Sequence, residues 1–147
     1  MPLSIAASTV NTEHFFAVPP STSVAEAARL MTEKSIGSVM IVAHKEHTLL
    51  GLFTERDLMT RVVAKGLNPA TTPLEDVMTK ELITVTAKTS IHDALQLMRD
   101  FHCRHLPIIE NDTPIGMVSV RDLYSAVIEN LEHDVREKEA FIFGGGY

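Results

Sequence analysis

The sequence presents the same series of patterns twice, and this internal repeat constrains the fold more than any other feature. VPPSTSVAEAARLM (18–31) aligns with VTAKTSIHDALQLM (85–98). Further along, GLFTERDLM (51–59) aligns with GMVSVRDLY (116–124). Agreement over several segments in one order predicts two copies of a single structural unit.

Each copy carries the signals of the same five elements. Apolar residues recur at helical spacing on one face, in Val24, Ala27, Ala28 and Met31 and again in Ile91, Ala94, Leu95 and Met98. Two β-rich segments follow, and a second helix is predicted to begin near Thr54 or Ser119. Its buried stripe is predicted to be Leu58, Met59, Val62 and Val63, with Gly66 as its C-cap. The order is strand–helix–strand–strand–helix.

The predicted fold is therefore α+β, with two tandem βαββα repeats. We predict repeat 1 at 8–66, a linker at 67–76, repeat 2 at 77–130 and a helical tail at 131–147. A unit of about 60 residues buries too little apolar surface to be stable alone. The repeats are thus expected to pack on each other about a pseudo-twofold axis.

Composition excludes several classes of protein. A single Cys rules out an internal disulfide and is typical of a reducing compartment. The net charge of −6 argues against a broad nucleic-acid surface. The N-terminus lacks the features of a signal peptide, and no apolar run approaches the roughly 20 residues that span a bilayer. We expect a cytoplasmic protein without nucleic-acid or membrane partners.

The turns that start the second helices, Thr54-x-x-Asp57 and Ser119-x-x-Asp122, have two readings. As caps, the hydroxyl and the carboxylate stabilise the helix start by roughly 1 kcal/mol. As a binding site, the helix N-terminus attracts phosphate, and a carboxylate one turn in accepts hydrogen bonds from ribose hydroxyls. Both roles are compatible.

The doubled turn in a doubled βαββα unit resembles a tandem pair of CBS domains, also called a Bateman module. The resemblance covers about residues 10 to 130 and rests on the G-h-h-[ST]-x-x-D turns, on RHLPII (104–109), and on VAEAARLM with its counterpart DALQLM. The lead-in of repeat 2, PLEDVMTKELITV (73–85), is typical of the family. STVNTEHFFAV (8–18) departs from that pattern, which leaves the first pocket less well supported.

The resemblance implies that the turns bind an adenosine-containing ligand. Asp57 and Asp122 would bind ribose, and Thr54 and Ser119 would lie beside the phosphates. Arg56 and Arg121 occupy equivalent positions, as phosphate ligands or as solvated surface residues. Adenine would be read from the first strand of a repeat. The implied set is Thr54, Arg56, Asp57, Ser119, Arg121, Asp122, Thr84, Val85, Thr86, Arg104, His105, Pro107, Val18 and Ser38.

The two pockets are expected to differ chemically. The resemblance places Arg104 and His105 across the pseudo-twofold from the Asp57 turn, where they would serve that site as well as their own, whereas Asp122 would face the neutral Gly37 and Ser38. A phosphate-rich ligand is then predicted to prefer the Asp57 pocket. Because His105 adds charge only near or below its pKa, phosphate binding is predicted to strengthen as pH falls from about 8 to 6.

Other candidate sites have less support. HCRH (102–105) invites a metal interpretation, but no second cluster completes a four-ligand zinc shell. Cys103 would be a nucleophile only with an oriented base. We identify no Ser/His/Asp arrangement, Walker loop or GxGxxG, and expect no catalysis and no required cofactor.

The sequence thus predicts a regulatory sensor that binds AMP, ADP or ATP, or NAD or S-adenosylmethionine. It would act on an unknown effector protein in trans. The apolar series Val127, Leu131, Val135 and Ile142 is either a solvated helix face or a surface that packs on a second copy, which predicts a homodimer. The alternative is a ligand-free structural dimerisation module with degenerate pockets.

Overall fold

A computed structural model describes residues 3–6, 8 and 15–143. The first repeat forms a three-stranded sheet in which β1 (Ala17–Val18) is parallel to β2 (Ser38–Val42) and β2 is antiparallel to β3 (Leu49–Thr54). Its second helix begins with one α-helical turn and continues as a π-helix. The elements are β1 Ala17–Val18, α1 Val24–Lys34, β2 Ser38–Val42, β3 Leu49–Thr54, and α2 made of Glu55–Asp57 and Leu58–Val63.

The second repeat follows a short 3₁₀ helix, Leu74–Asp76, and forms an antiparallel two-stranded sheet. Its elements are α3 Ile91–Asp100, β4 His105–Glu110, β5 Thr113–Ser119 and α4 Val120–Phe143. The predicted lead-in strand is reduced to one parallel bridge between Val85 and Ile108. The predicted α+β fold of two repeats is confirmed.

Side-chain caps fix where the first helix of each repeat begins. Ser23 Oγ accepts a hydrogen bond from the Glu26 N–H at 3.1 Å, and Ser90 Oγ accepts one from Asp93 at 3.0 Å. These bonds satisfy backbone donors that a helix N-terminus leaves unpaired. Gly66, at φ +68°, follows the end of α2, and the Leu67 N–H reaches back to the Val62 carbonyl at 3.0 Å. The predicted glycine stop is therefore present.

Each repeat has its own apolar core, and a smaller cluster joins the two. Val24, Ala27 and Met31 of α1 are buried in the first core, and Ile91, Ala94 and Met98 of α3 are buried in the second. Met40 and Leu52 of repeat 1 contact Met117 of repeat 2 in the joining cluster. The sheets therefore pack against each other, as the size of a single repeat requires.

The predicted buried stripe of α2 is only half right. Val62 is fully buried and Leu58 partly so, but Met59 and Val63 are 59% and 67% exposed. Met59 and Val63 each directly follow an inward-facing residue, Leu58 or Val62. One step along a helix turns a side chain away from the face of its neighbour, so both lie on the outer edge of α2. The prediction for Met59 and Val63 was wrong.

The chain segments before each repeat pack on the other repeat. Leu74, Val77 and Met78 lie in the core of repeat 1, and the Leu74 N–H bonds the Thr22 carbonyl at 2.8 Å. Ile5 lies in the core of repeat 2, and its N–H bonds the Thr89 carbonyl at 2.9 Å. The crossed segments tie the two repeats together.

Helix α4 continues from repeat 2 into the predicted tail without a break. Ile128, Leu131 and Val135 on it are all more than half exposed. Residues 144–147, including the glycines of the predicted tail, lie outside the described residues. Among the described residues, no helix combines the length and the apolar character that crossing a membrane would require.

Candidate ligand-binding cleft

A cavity of about 930 Å³ lies between the two repeats. Its walls come from the end of α1, the starts of β2 and β4, and the first turns of α2 and α4. The polar residues that line it are Thr32, Ser35, Ser38, Glu55, Arg104, His105, Ser119, Arg121 and Asp122. A volume of this size falls within the range of small-molecule sites.

The Ser119–Asp122 turn opens into this cleft. Ser119 Oγ accepts a hydrogen bond from the Asp122 N–H at 3.1 Å, and Asp122 Oδ2 accepts one from the Ser119 N–H at 3.3 Å. Within the described part of the chain, the second carboxylate oxygen of Asp122 accepts no hydrogen bond. The capping role therefore leaves one oxygen able to accept a hydrogen bond from a ligand.

Arg104 and His105 line the cleft beside Asp122, not beside Asp57 as expected. The strand register explains the difference, because His105 pairs with Ser119 across β4 and β5. The Val120 N–H also donates to the Arg104 carbonyl at 2.8 Å. The cations are thus held next to the turn of their own repeat.

His105 meets the opposite wall of the cleft at Gly37. A Cβ on Gly37 would lie only 3.0 Å from His105 Nε2, so the imidazole occupies the space that any side chain there would take. Burial lowers the pKa of His105, while the nearby carboxylates of Glu55 and Asp122 act in the opposite direction and Arg104 lowers it further. The neutral imidazole is therefore the favoured form in the free cleft.

The Asp57 turn is arranged differently, because its carboxylate is occupied within the chain. Thr54 and Asp57 exchange both capping-box hydrogen bonds, at 3.0 and 3.2 Å. The Thr79 hydroxyl lies 3.2 Å from each carboxylate oxygen, and Arg61 Nε lies 3.4 Å from Oδ1. Asp57 is 6% exposed and does not line the cleft.

Several other predicted residues lie away from the cleft. Arg56 Nη1 donates to the His102 carbonyl at 3.3 Å, which links α2 to the loop before β4. Val85 and Pro107 are joined by a backbone hydrogen bond at 3.0 Å, and both are buried. Thr84 and Thr86 do not line the cleft, and Val18 lines a separate cavity of about 390 Å³. Of the predicted set, the cleft contains Ser38, Arg104, His105, Ser119, Arg121 and Asp122.

The structure adds cleft residues that the sequence analysis did not select. Glu55 and Val120 occupy the same place in the two turns and both line the cavity. Leu58, Ile36 and Met117 supply apolar wall. Glu55 and Val120 directly follow the Thr or Ser of each turn, and the repeat alignment pairs them. This matched position could have predicted that both line the cleft.

The HCRH segment does not form a metal centre among the described residues. No group of three or more His, Cys, Asp or Glu side chains is placed there to hold an ion. His102 adopts a left-handed conformation, at φ +53°, and β4 begins only at His105. Burial raises the pKa of the Cys103 thiol, which disfavours the thiolate that nucleophilic attack would need.

Comparison with known proteins agrees with this architecture. The sequence profile of the CBS domain matches residues 7–64 and 74–129. The chain is 36% identical to the mitochondrial CBS domain-containing protein CBSX3 of Arabidopsis thaliana, over 84% of this chain and 61% of that protein. The chain thus spans somewhat less than two thirds of that relative's length.

Two solved structures are similar throughout the repeats. An uncharacterized conserved protein from Pyrococcus horikoshii superimposes with a TM-score of 0.78 and 32% identity, over 86% of this chain and 93% of the other. A candidate signal-transduction protein with CBS domains from Burkholderia ambifaria gives 0.75 and 30%, over 80% and 85%. The chain belongs to the CBS-domain family and contains two CBS domains in tandem.

Proposed function

We propose that this CBS pair is a regulatory sensor that binds one adenosine-containing ligand in the cleft at Asp122. The observation that carries the proposal is the Ser119–Asp122 turn, which presents a helix N-terminus and an available carboxylate oxygen to a cavity of about 930 Å³. The positive potential at a helix start favours phosphate. The second oxygen of Asp122 is suited to ribose hydroxyls.

The guanidinium groups of Arg104 and Arg121 supply the remaining phosphate contacts in this proposal. Both residues line the cleft near the start of α4, and a guanidinium matches phosphate oxygens with two parallel donors. Apolar residues of the first repeat, among them Ile36 and Leu58, offer a surface for the adenine ring. One site per chain is proposed, because the carboxylate of Asp57 already has partners within the fold.

The signal would pass to another protein without catalysis in this chain. A ligand held between the repeats contacts both, so its binding favours one arrangement of the two over others. A homodimer with an effector acting in trans, and a cytoplasmic location, remain part of the proposal. Imaging of the tagged protein in cells tests this location, since the Arabidopsis relative is named as mitochondrial.

A thermal-shift screen tests the binding. Adenosine, AMP, ATP, NAD and S-adenosylmethionine would be compared, because a ligand that binds only the folded state must raise the melting temperature. We expect at least one adenosine-containing ligand to do so, and the shift of a phosphate-bearing ligand should be lost in Arg104→Ala. No shift with any of them, together with an intact dimer, would support the second candidate function, a ligand-free dimerisation module. The closed environment of Asp57 is the observation that favours this second candidate.

A further inference from the structure

Glu55 places a negative charge in the cleft that ribose and phosphate binding do not require. Its equivalent in the second repeat is Val120, so the charge comes from one repeat only. The Glu55 N–H donates to the Gly37 carbonyl at 3.2 Å, as the Val120 N–H does to the Arg104 carbonyl at 2.8 Å. These matched bonds fix the backbone of both positions at the wall of the cleft.

The side chain of Glu55 approaches His105 above Gly37. The Glu55 carboxyl carbon lies 3.8 Å from the point where a Cβ on Gly37 would stand, and His105 Nε2 lies 3.0 Å from the same point. The carboxylate and the imidazole therefore both border the space that the missing side chain of Gly37 leaves open. The acidic wall of repeat 1 faces the basic wall of repeat 2.

The fixed charges of the described cleft residues cancel. Arg104 and Arg121 are positive, and Glu55 and Asp122 are negative. Burial lowers the pKa of His105, so the imidazole adds little positive charge at neutral pH. A triphosphate would bring several negative charges beside a carboxylate without a matching excess of cations, and like charges held close together disfavour binding.

We propose that Glu55 is a specificity-determining residue that selects adenosyl ligands with at most one phosphate and disfavours triphosphates. The inference rests on the proposed function, and names the charge class of the ligand in the same cleft. A single phosphate is met by the two arginines and the start of α4, whereas the further phosphates of ATP extend the negative charge toward Glu55. A cationic adenosyl ligand is compatible with the same carboxylate.

Calorimetric titration of the full chain with adenosine, AMP and ATP at low ionic strength tests the inference. In Glu55→Gln we expect ATP to bind about tenfold more tightly, the order expected from one charge interaction in a half-open site. AMP should gain less, and adenosine should be unchanged. Glu75→Gln, an exposed position outside the cleft, is the matched control and should leave all three affinities unchanged.

Two outcomes separate this inference from the proposed function. If adenosine binds but the ratio of ATP to adenosine affinity is the same in Glu55→Gln and the unaltered protein, the charge selection is refuted and the sensor function stands. If no adenosine compound binds, the sensor function is refuted, and inorganic tripolyphosphate followed by the His105 imidazole NMR signals decides the selection. Tighter tripolyphosphate binding in Glu55→Gln supports it, and equal binding overturns it.

Discussion

The hydroxyl of Thr79, in the lead-in of repeat 2, lies 3.2 Å from both carboxylate oxygens of Asp57 in the first turn of α2. A backbone pair reinforces the contact, because Thr79 and Leu52 exchange hydrogen bonds at 2.8 and 3.0 Å. Arg61 completes it by donating to the Met78 carbonyl at 3.0 Å while facing Asp57. Two T/S-x-x-D turns at equivalent positions of the repeats therefore have different surroundings.

Removal of the Thr79 hydroxyl should lower the stability of the fold. In Thr79→Val the buried carboxylate of Asp57 loses one donor, so we expect the free energy of unfolding to fall by about 1–2 kcal/mol in urea denaturation. Thr71→Val, at an exposed position, is the control and should change little. Equal stability of the two variants would show that the Thr79 contact contributes nothing.

Substitution of Asp122 should affect ligand binding, whereas substitution of Asp57 should affect stability. Asp122→Asn is expected to weaken binding of the adenosyl ligand tenfold or more, roughly what loss of a hydrogen bond to a charged group costs. Asp57→Asn should instead lower the free energy of unfolding and leave the dissociation constant close to its original value. Calorimetry and denaturation of both variants give the comparison. Loss of binding in Asp57→Asn alone would place the ribose site at the first turn and contradict our assignment.

The free energy of unfolding should decrease as pH falls, because His105 becomes protonated. Burial lowers its pKa in the folded state below the ordinary value of 6.5, so the unfolded chain binds the proton more readily. The contribution of neutral His105 is therefore complete above about pH 6.5 and is lost as pH falls below it. Denaturation across this range, in buffers without phosphate, should show a weaker pH dependence in His105→Gln than in the unaltered protein.

The matched control for that experiment is His44→Gln, an exposed position. Its pH dependence should follow that of the unaltered protein, and a His105→Gln curve that does the same would refute the role of His105. The lowered pKa also moves the window for phosphate binding. Phosphate binding is expected to strengthen below about pH 6.5, whereas the sequence alone predicts strengthening as pH falls from about 8 to 6.

Equivalent apolar positions on α2 and α4 predict the dimer interface. Met59 and Val63 of α2 correspond to Tyr124 and Ile128 of α4, and all four are more than half exposed. Because the repeats are related by pseudo-symmetry, these side chains form matched surfaces that a second copy would cover. Light scattering should show a dimer for the unaltered chain and a monomer for Ile128→Glu.

Leu67→Glu changes an exposed apolar residue that lies beyond these helices and should leave the dimer intact. Deletion of 131–147 should weaken association if the exposed residues of α4, such as Leu131 and Val135, take part. A monomeric unaltered chain at tens of micromolar would contradict the proposed dimer. An Ile128→Glu dimer of unchanged stability would place the interface elsewhere.

The sequence by itself determined the repeat, the order of elements and the helix starts. These features depend on interactions within a few residues: the apolar spacing of α1 and α3, the Ser23 and Ser90 caps, and the Gly66 stop. The two capping turns followed from the same local rules. Such short-range interactions can be inferred from neighbouring residues in the sequence, and the repeat shows each pattern twice.

Only the tertiary structure decided which turn faces the cleft. Thr79 is 22 residues from Asp57, and His105 of the second repeat contacts the position of Gly37 in the first. Such contacts depend on strand register and on the segment between the repeats crossing onto the first core, neither of which periodicity encodes. Pseudo-symmetry predicted a pocket at each of the two turns, with different residues facing them. The long-range hydrogen bonds at Asp57 broke that symmetry, because a buried carboxylate must find its partners wherever the folded chain provides them.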